Sequence, residues 1–202
     1  MAVEIERRFL VRGDAWRAHQ CWQAELRQGY LVSAGDGLTL RVRLSRPPQP
    51  AAPSAWLTLK AVPPGPSPSR SDSPSRSDSA SRSDSPSRSA SPPAPQALTR
   101  LEFEYAIPLG DAEALLALCG DQLGKRRHGL DLPGGDWVLD VFEGANAPLV
   151  LAEVELEAAD SPLTIPPWCW REVSGEHSLS NAALARRPLA RWSPQERQAF
   201  GL

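Results

Sequence analysis

Lysine is nearly missing from this chain of 202 residues: Lys60 and Lys125 stand against twenty arginines, so the two positions that keep lysine are informative. Cysteine is scarce too. Cys21, Cys119 and Cys169 are odd in number, far apart and without C-x-x-C spacing, which argues against a disulfide framework or structural zinc and leaves buried thiols. No run of about 18 apolar residues occurs, and the amino terminus has no signal-peptide hydrophobic region. A soluble, cytoplasmic protein with no membrane partner is therefore expected. A net charge of −2 gives no general attraction to nucleic acid, so none is expected as a partner, and any anion binding has to come from local arrangement. The chain lacks a Gly-x-x-x-x-Gly-Lys-Ser/Thr loop and a Gly-x-Ser-x-Gly elbow, which leaves a P-loop enzyme and a serine hydrolase unsupported. His19, His128 and His177 lack the spacing of a zinc or catalytic cluster, although His128 sits beside Arg127, where it would touch a ligand.

What is present is enough apolar residue, 41 %, for one domain with a real core. That domain is interrupted. Residues 69–92 are four tandem hexamers of the Ser-Arg-Ser-Asp-Ser-Pro type with nothing apolar larger than alanine or proline, so residues 63–96 read as a disordered insertion, a passive loop whose Arg and Asp charges nearly cancel. Outside it, strands are expected at 3–11, 25–32, 38–45, 55–62, 98–107, 122–130, 136–143 and 149–158. Helices are expected at 111–119 and 179–187, the latter capped by Ser178 or Ser180, with shorter ones at 14–20 and 194–200. Asn181 reads as a helix-end residue, and Trp168 and Trp170, after Pro166 and Pro167, as a packed turn.

The strands carry a period of two. In Val3 to Val11 the residues Glu4, Glu6 and Arg8 share one face and Val3, Ile5 and Phe9 the other; in Val150 to Glu157 the residues Glu153, Glu155 and Glu157 alternate with aliphatics. A row of carboxylates repels itself and needs a cation opposite. Elsewhere the signs also segregate by strand: Glu102 with Glu104, and Asp140 between Leu139 and Val141, against Arg41 with Arg43, Thr58 with Lys60, and Lys125 with Arg127. A solvated sheet face ordinarily mixes signs along each strand. Turned inward, these faces make a polar tunnel of seven carboxylates and six cations. Arginine forks and lysines suit phosphate oxygens, and clustered carboxylates suit hard divalent ions, so the implied ligand is a metal-bound polyphosphate.

These residues resemble the CYTH, or triphosphate tunnel metalloenzyme, family, whose signature is an amino-terminal Glu-x-Glu-x-Lys strand. Val3 to Val11 is similar to that strand, Gln28-Gly29-Tyr30-Leu31 to the second and Arg41-Val42-Arg43 to the basic third. Leu57 to Lys60, Glu102-Phe103-Glu104, Lys125-Arg126-Arg127, Asp140-Val141-Phe142 and Ala152 to Leu156 follow in order, and residues 171–175 and 181–185 are similar to the closing segment. Two departures stand out: Arg8 replaces the signature lysine, and His128 stands where tyrosine often follows the basic pair.

The resemblance implies an α+β fold, a closed antiparallel eight-stranded β-barrel forming a tunnel with a few short helices outside. It implies hydrolysis of the terminal phosphoanhydride of a small-molecule triphosphate, inorganic tripolyphosphate or a nucleoside triphosphate, by a monomer or homodimer with Mg²⁺ or Mn²⁺. Arg8, Arg41, Arg43, Lys60, Lys125 and Arg127 would bind phosphate. Glu4, Glu6, Asp140, Glu153 and Glu155 would hold metal, and Glu102, Glu104, Arg8 and Tyr30 are the catalytic candidates, with Glu157 at the rim. Alternatives are a noncatalytic polyphosphate-binding module, favoured by Arg8 because a guanidinium does not readily give up a proton, and an adenylate cyclase on the same fold.

Overall fold

The structure, a computed structural model, describes residues 2–34, 38–62, 98–158 and 160–202, and for residues 2–4 and 98–100 the backbone alone. The insertion at 63–96 and the side chain of Glu4 lie outside what is described.

Among the described residues nine strands form: β1 (Ala2–Val11), β2 (Gln20–Ser33), β3 (Thr39–Arg46), β4 (Ser54–Ala61), β5 (Leu98–Ala106), β6 (Asp121–Leu130), β7 (Asp136–Phe142), β8 (Val150–Glu155) and β9 (Cys169–Glu172). The α-helices among the described residues are short: α1 (Leu109–Leu118), α2 (Asn181–Arg186) and α3 (Pro194–Ala199). Ser180 caps α2 by accepting from the Ala183 amide, and Ser193 with Glu196 makes a reciprocal capping box on α3. The residues expected as a helix at 14–20 wind instead into a 3-10 turn, Ala15–His19.

All pairings given for the sheet are antiparallel, in the order β5-β4-β3-β2-β6-β7-β8-β1-β9, and β5 pairs again with β1. The expected closed eight-stranded barrel is thereby corrected on two counts. A ninth strand extends the sheet past β1; its four residues lie between a proline pair and Gly175, too short for alternation to announce them. The β5–β1 pairing spans only Ala2–Glu6 against Leu98–Glu102, because β9 takes the far end of that edge of β1. The sheet is a curled trough with a short seam, not a barrel closed along its height.

Register places the charges. Tyr30 lies opposite Arg41, Arg41 opposite Thr58 and Thr58 opposite Glu104. Glu6 lies opposite Glu155, Arg8 opposite Glu153, and Arg127 opposite Asp140. Directly opposed residues share a face, so these side chains line the concave side. That side is divided. One part is apolar, where Leu10, Leu123, Phe142 and Leu151 pack against Leu179, Leu184, Leu189 and Trp192 of the C-terminal segment; the other part is charged.

The convex side is covered in two places. Phe9, Trp137, Leu139, Ala152, Val154 and Trp168 form one cluster, with Trp137 and Trp168 edge to face at 6.4 Å. This is the packing expected of the Pro-Pro-Trp turn, while Trp170 is covered by the Arg12 guanidinium at 3.7 Å. Elsewhere α1 lays Ala112 and Leu116 on Val42, Leu44 and Ala55. It comes so close to β2 that a Cβ on Gly29 would stand 2.7 Å from the Cys119 Cβ, which is why only glycine fits there. Cys119 and Cys169 are buried free thiols and Cys21 is exposed. Among the described residues, no helix is long and apolar enough to cross a membrane.

Leu139, fully buried on the convex side, is expected to contribute strongly: Leu139→Ala should cost about 2–5 kcal/mol, read as a lower urea midpoint with an unchanged slope.

Candidate functional site

The charged part of the trough is a cavity of about 360 Å³. Of the residues singled out in the sequence, Glu6, Arg8, Tyr30, Arg41, Arg43, Lys60, Glu102, Glu104, Arg127, Glu153 and Glu155 line it. They come from seven strands, β1 to β6 and β8, so the register described above is what brings them together.

On one wall the charges pair off. Glu104 Oε1 accepts from the Thr58 hydroxyl at 2.7 Å, from Arg43 Nη2 at 3.0 Å and from Arg41 Nη2 at 3.3 Å. Lys60 Nζ lies 3.3 Å from Glu102 Oε2. Burial pushes the Glu104 carboxyl up, but Arg43, Thr58 and Arg41 outweigh it and hold it below the usual carboxylate range. Burial, with Arg41 adjacent, lowers Arg43 to about 10, still protonated at neutral pH. Burial raises Tyr30 to about 12, so it keeps its proton, and its hydroxyl accepts from Gln28 Nε2 at 2.9 Å. The wall thus offers one carboxylate that stays ionised, Glu104, and two donors that stay protonated, Arg43 and Tyr30.

On the opposite wall a buried triad sets the geometry. Asp140, fully buried, accepts from Arg127 Nε at 2.8 Å and Arg127 Nη2 at 2.7 Å, and from Lys125 Nζ at 2.5 Å. Arg127 Nη2 also donates to Glu153 Oε2 at 2.7 Å. Burial alone would raise Asp140, yet Arg127 and Lys125 hold it far below the carboxylate range, and Glu153 is lowered in the same way by Arg127. Burial lowers Lys125 to about 8 against the pull of Asp140. Lys125 also donates to Asn181 Oδ1 at 2.9 Å.

Lys125 and Asp140 therefore sit behind the cavity wall. Neither Asp140, expected as a metal ligand, nor Lys125, expected as a phosphate ligand, is among the residues that line the cavity: the oxygens of Asp140 accept from two cations, and Lys125 donates to Asp140 and Asn181. His128 is also absent from the wall. It falls on the opposite face of β6, tilted against Trp16 at 4.8 Å with Nδ1 2.9 Å from Gln20 Oε1. Arg8 lines the cavity but sends Nη1 to the Leu179 carbonyl at 3.1 Å. Glu157 is exposed and off the wall.

The sequence reading missed Ser33, Thr39, His177, Ser180 and Arg186 as lining residues and Gln28 and Thr58 as partners. Thr58 was legible, sharing the face of Lys60. Those of the C-terminal segment were not, because only the apolar packing of Leu179 and Leu184 into the trough brings them there.

No family model matches the chain. It is 30% identical over 190 residues to the inorganic triphosphatase of Acetivibrio thermocellus, covering 93% of this chain and 96% of that one. It is 30% identical over 187 residues to the inorganic triphosphatase of Nitrosomonas europaea, covering 91% and 97%. The crystal structure of an inorganic triphosphatase superposes with a TM-score of 0.53 at 28% identity, covering 92% of this chain and 95% of that one. The chain belongs to the CYTH, or triphosphate tunnel metalloenzyme, family. The alignments run over nearly the whole length of this chain and of both relatives, so the strands that line the cavity lie within the resemblance.

The triad makes stability depend on acid. Because the Asp140 value is lower folded than unfolded, its contribution is complete above about pH 5 and is lost as pH falls further. Asp140→Asn, which leaves the buried Lys125 ammonium without its carboxylate and Arg127 with Glu153 alone, is expected to cost about 3–5 kcal/mol at neutral pH. The wild type should begin to lose that advantage over the variant below about pH 5 and still be losing it at about pH 2, read from urea midpoints at each pH.

Proposed function

We propose that the chain hydrolyses the terminal phosphoanhydride of a triphosphate, with inorganic tripolyphosphate as the preferred substrate. The observation that carries this is the cavity's composition: Arg41, Arg43, Lys60 and Arg127 in one space with Glu6, Glu153 and Glu155. The two relatives named inorganic triphosphatase, aligned along nearly their full length, support it. Ring faces on the described wall come only from Tyr30 and His177, which favours an inorganic chain over a nucleotide.

In this reading the phosphate chain displaces the carboxylates from Arg41, Arg43 and Lys60, which exchange one set of oxygens for another with little rearrangement and neutralise the leaving group. Arg127 is held immobile by Asp140 and meets phosphate with its orientation already fixed. Tyr30, protonated and anchored by Gln28, donates a hydrogen bond. Glu104 stays ionised and orients the attacking water by accepting from it, with Glu102 beside it.

A divalent ion fits the remaining acids. Glu6 and Glu155 are directly opposed on one face, two hard oxygen donors whose mutual repulsion a cation relieves; Glu153 is adjacent, and Glu4 precedes them on β1. Among the described residues no three acidic or imidazole groups form a complete shell. That suits Mg²⁺ or Mn²⁺, since magnesium commonly takes one or two carboxylates and completes its shell with substrate phosphates and water. When bound, the ion would neutralise phosphate charge and orient or acidify water. The reading places the enzyme with its small-molecule substrate in the cytoplasm.

The test offers tripolyphosphate, ATP, pyrophosphate and thiamine triphosphate to the full chain with Mg²⁺ or Mn²⁺ while orthophosphate and cyclic AMP are measured. Orthophosphate from tripolyphosphate, abolished by chelation and lowered at least about a hundredfold in Glu6→Gln, is the expected result. Cyclic AMP without matching orthophosphate, tight binding without turnover, or an undiminished Glu6→Gln rate would each defeat the proposal.

A further inference from the structure

We infer that Arg8 is a positioning residue that latches the C-terminal segment against β1 as a wall of the cavity, an inference that rests on the triphosphatase reading for its kinetic consequence. Its Nη1 donates to the Leu179 carbonyl at 3.1 Å and its Nη2 to the Glu176 carbonyl at 3.5 Å. Its backbone grips the same stretch: the Arg8 amide donates to Ser174 Oγ at 3.0 Å, and the Val173 amide donates to the Arg8 carbonyl at 2.8 Å. Four bonds thus gather residues 173–179 onto one residue of β1. The side chain is only 4% exposed, so water competes little for them.

The segment held in this way delivers His177, Ser180 and Asn181 to the cavity. From the other side, Lys125 Nζ holds Asn181, and Arg186 Nη2 reaches across to the Ser33 carbonyl at 2.8 Å. Arg8 is also the link between this wall and the acids, since its Nε, without a hydrogen bond among the described residues, faces Glu6 Oε1 at 3.7 Å.

Arginine suits the task where lysine does not. Two carbonyls three residues apart in a turn need two nitrogens spread on a planar fork, and an ammonium presents its donors from one point. With both terminal nitrogens turned to carbonyls, Arg8 governs how well the wall is ordered around the phosphate chain more than how fast the bond breaks. Loosening it therefore weakens binding first.

The test is amide hydrogen exchange and steady-state kinetics on the full chain, wild type against Arg8→Lys and Arg8→Met. In both variants the amides of residues 176–184 are expected to exchange at least about tenfold faster, and KM for tripolyphosphate to rise at least about tenfold while kcat falls less than about threefold. Lysine, although it keeps the charge, should rescue no more than part of either effect. Wild-type exchange and KM in Arg8→Lys would overturn the inference, as would a fall in kcat of about a hundredfold with exchange and KM unchanged, which marks a catalytic residue. If the chain hydrolyses no triphosphate, the functional reading fails while the exchange measurement still decides the latch. Should both variants fail to fold, Ser174→Ala removes one of the four bonds, along with the Ser174 donation to Glu172, while every charge is kept: faster exchange in the amides of 176–184 upholds the latch, and unchanged exchange overturns it.

Discussion

The cavity depends on one buried carboxylate. Asp140 lies where water does not reach, and it is tolerable there because Arg127 and Lys125 use its oxygens. Remove the acid and Lys125 is left charged in the interior while Arg127 keeps only Glu153; remove the cations and the acid is stranded. The triad fixes Arg127 toward the cavity and Lys125 toward Asn181, so one group sets both a wall of the site and the seat of α2.

That arrangement accounts for the division of the concave side. Alternation puts Leu10, Leu123 and Leu151 on the same face as Arg8, Arg127 and Glu153. The apolar members need cover, and the C-terminal segment supplies it with Leu179, Leu184 and Leu189. In covering them it carries His177, Ser180 and Arg186 to the edge of the charged part. Packing at one end of the trough thereby completes the site at the other.

Much of this was legible in the sequence because strands report their faces. Eight of the nine strands and the shared side of Glu6, Glu153, Arg41, Arg43 and Lys60 follow from a period of two, and the segregation of signs gave the reason to turn that side inward. What escaped was set by contacts distant along the chain. Four residues at 169–172 hold no pattern, yet pairing with β1 makes them a strand. Lys125 and Asp140 share the parity of the lining residues, and alternation cannot say which members of a face lie beneath others. His128 adjoins Arg127 in sequence, yet adjacent residues in a strand point apart, and its ring packs on Trp16. Arg8 carried the right charge at the right place, and its use in holding carbonyls depends on a segment about 170 residues away.

The central claim is that the arginine-lined wall binds a triphosphate. Calorimetric titration of tripolyphosphate with Mg²⁺ into the full chain and into an Arg41→Ala, Arg43→Ala double variant tests it most directly. The account predicts one site per chain, weakened at least about tenfold for each arginine lost. Binding of equal strength in the double variant would contradict it.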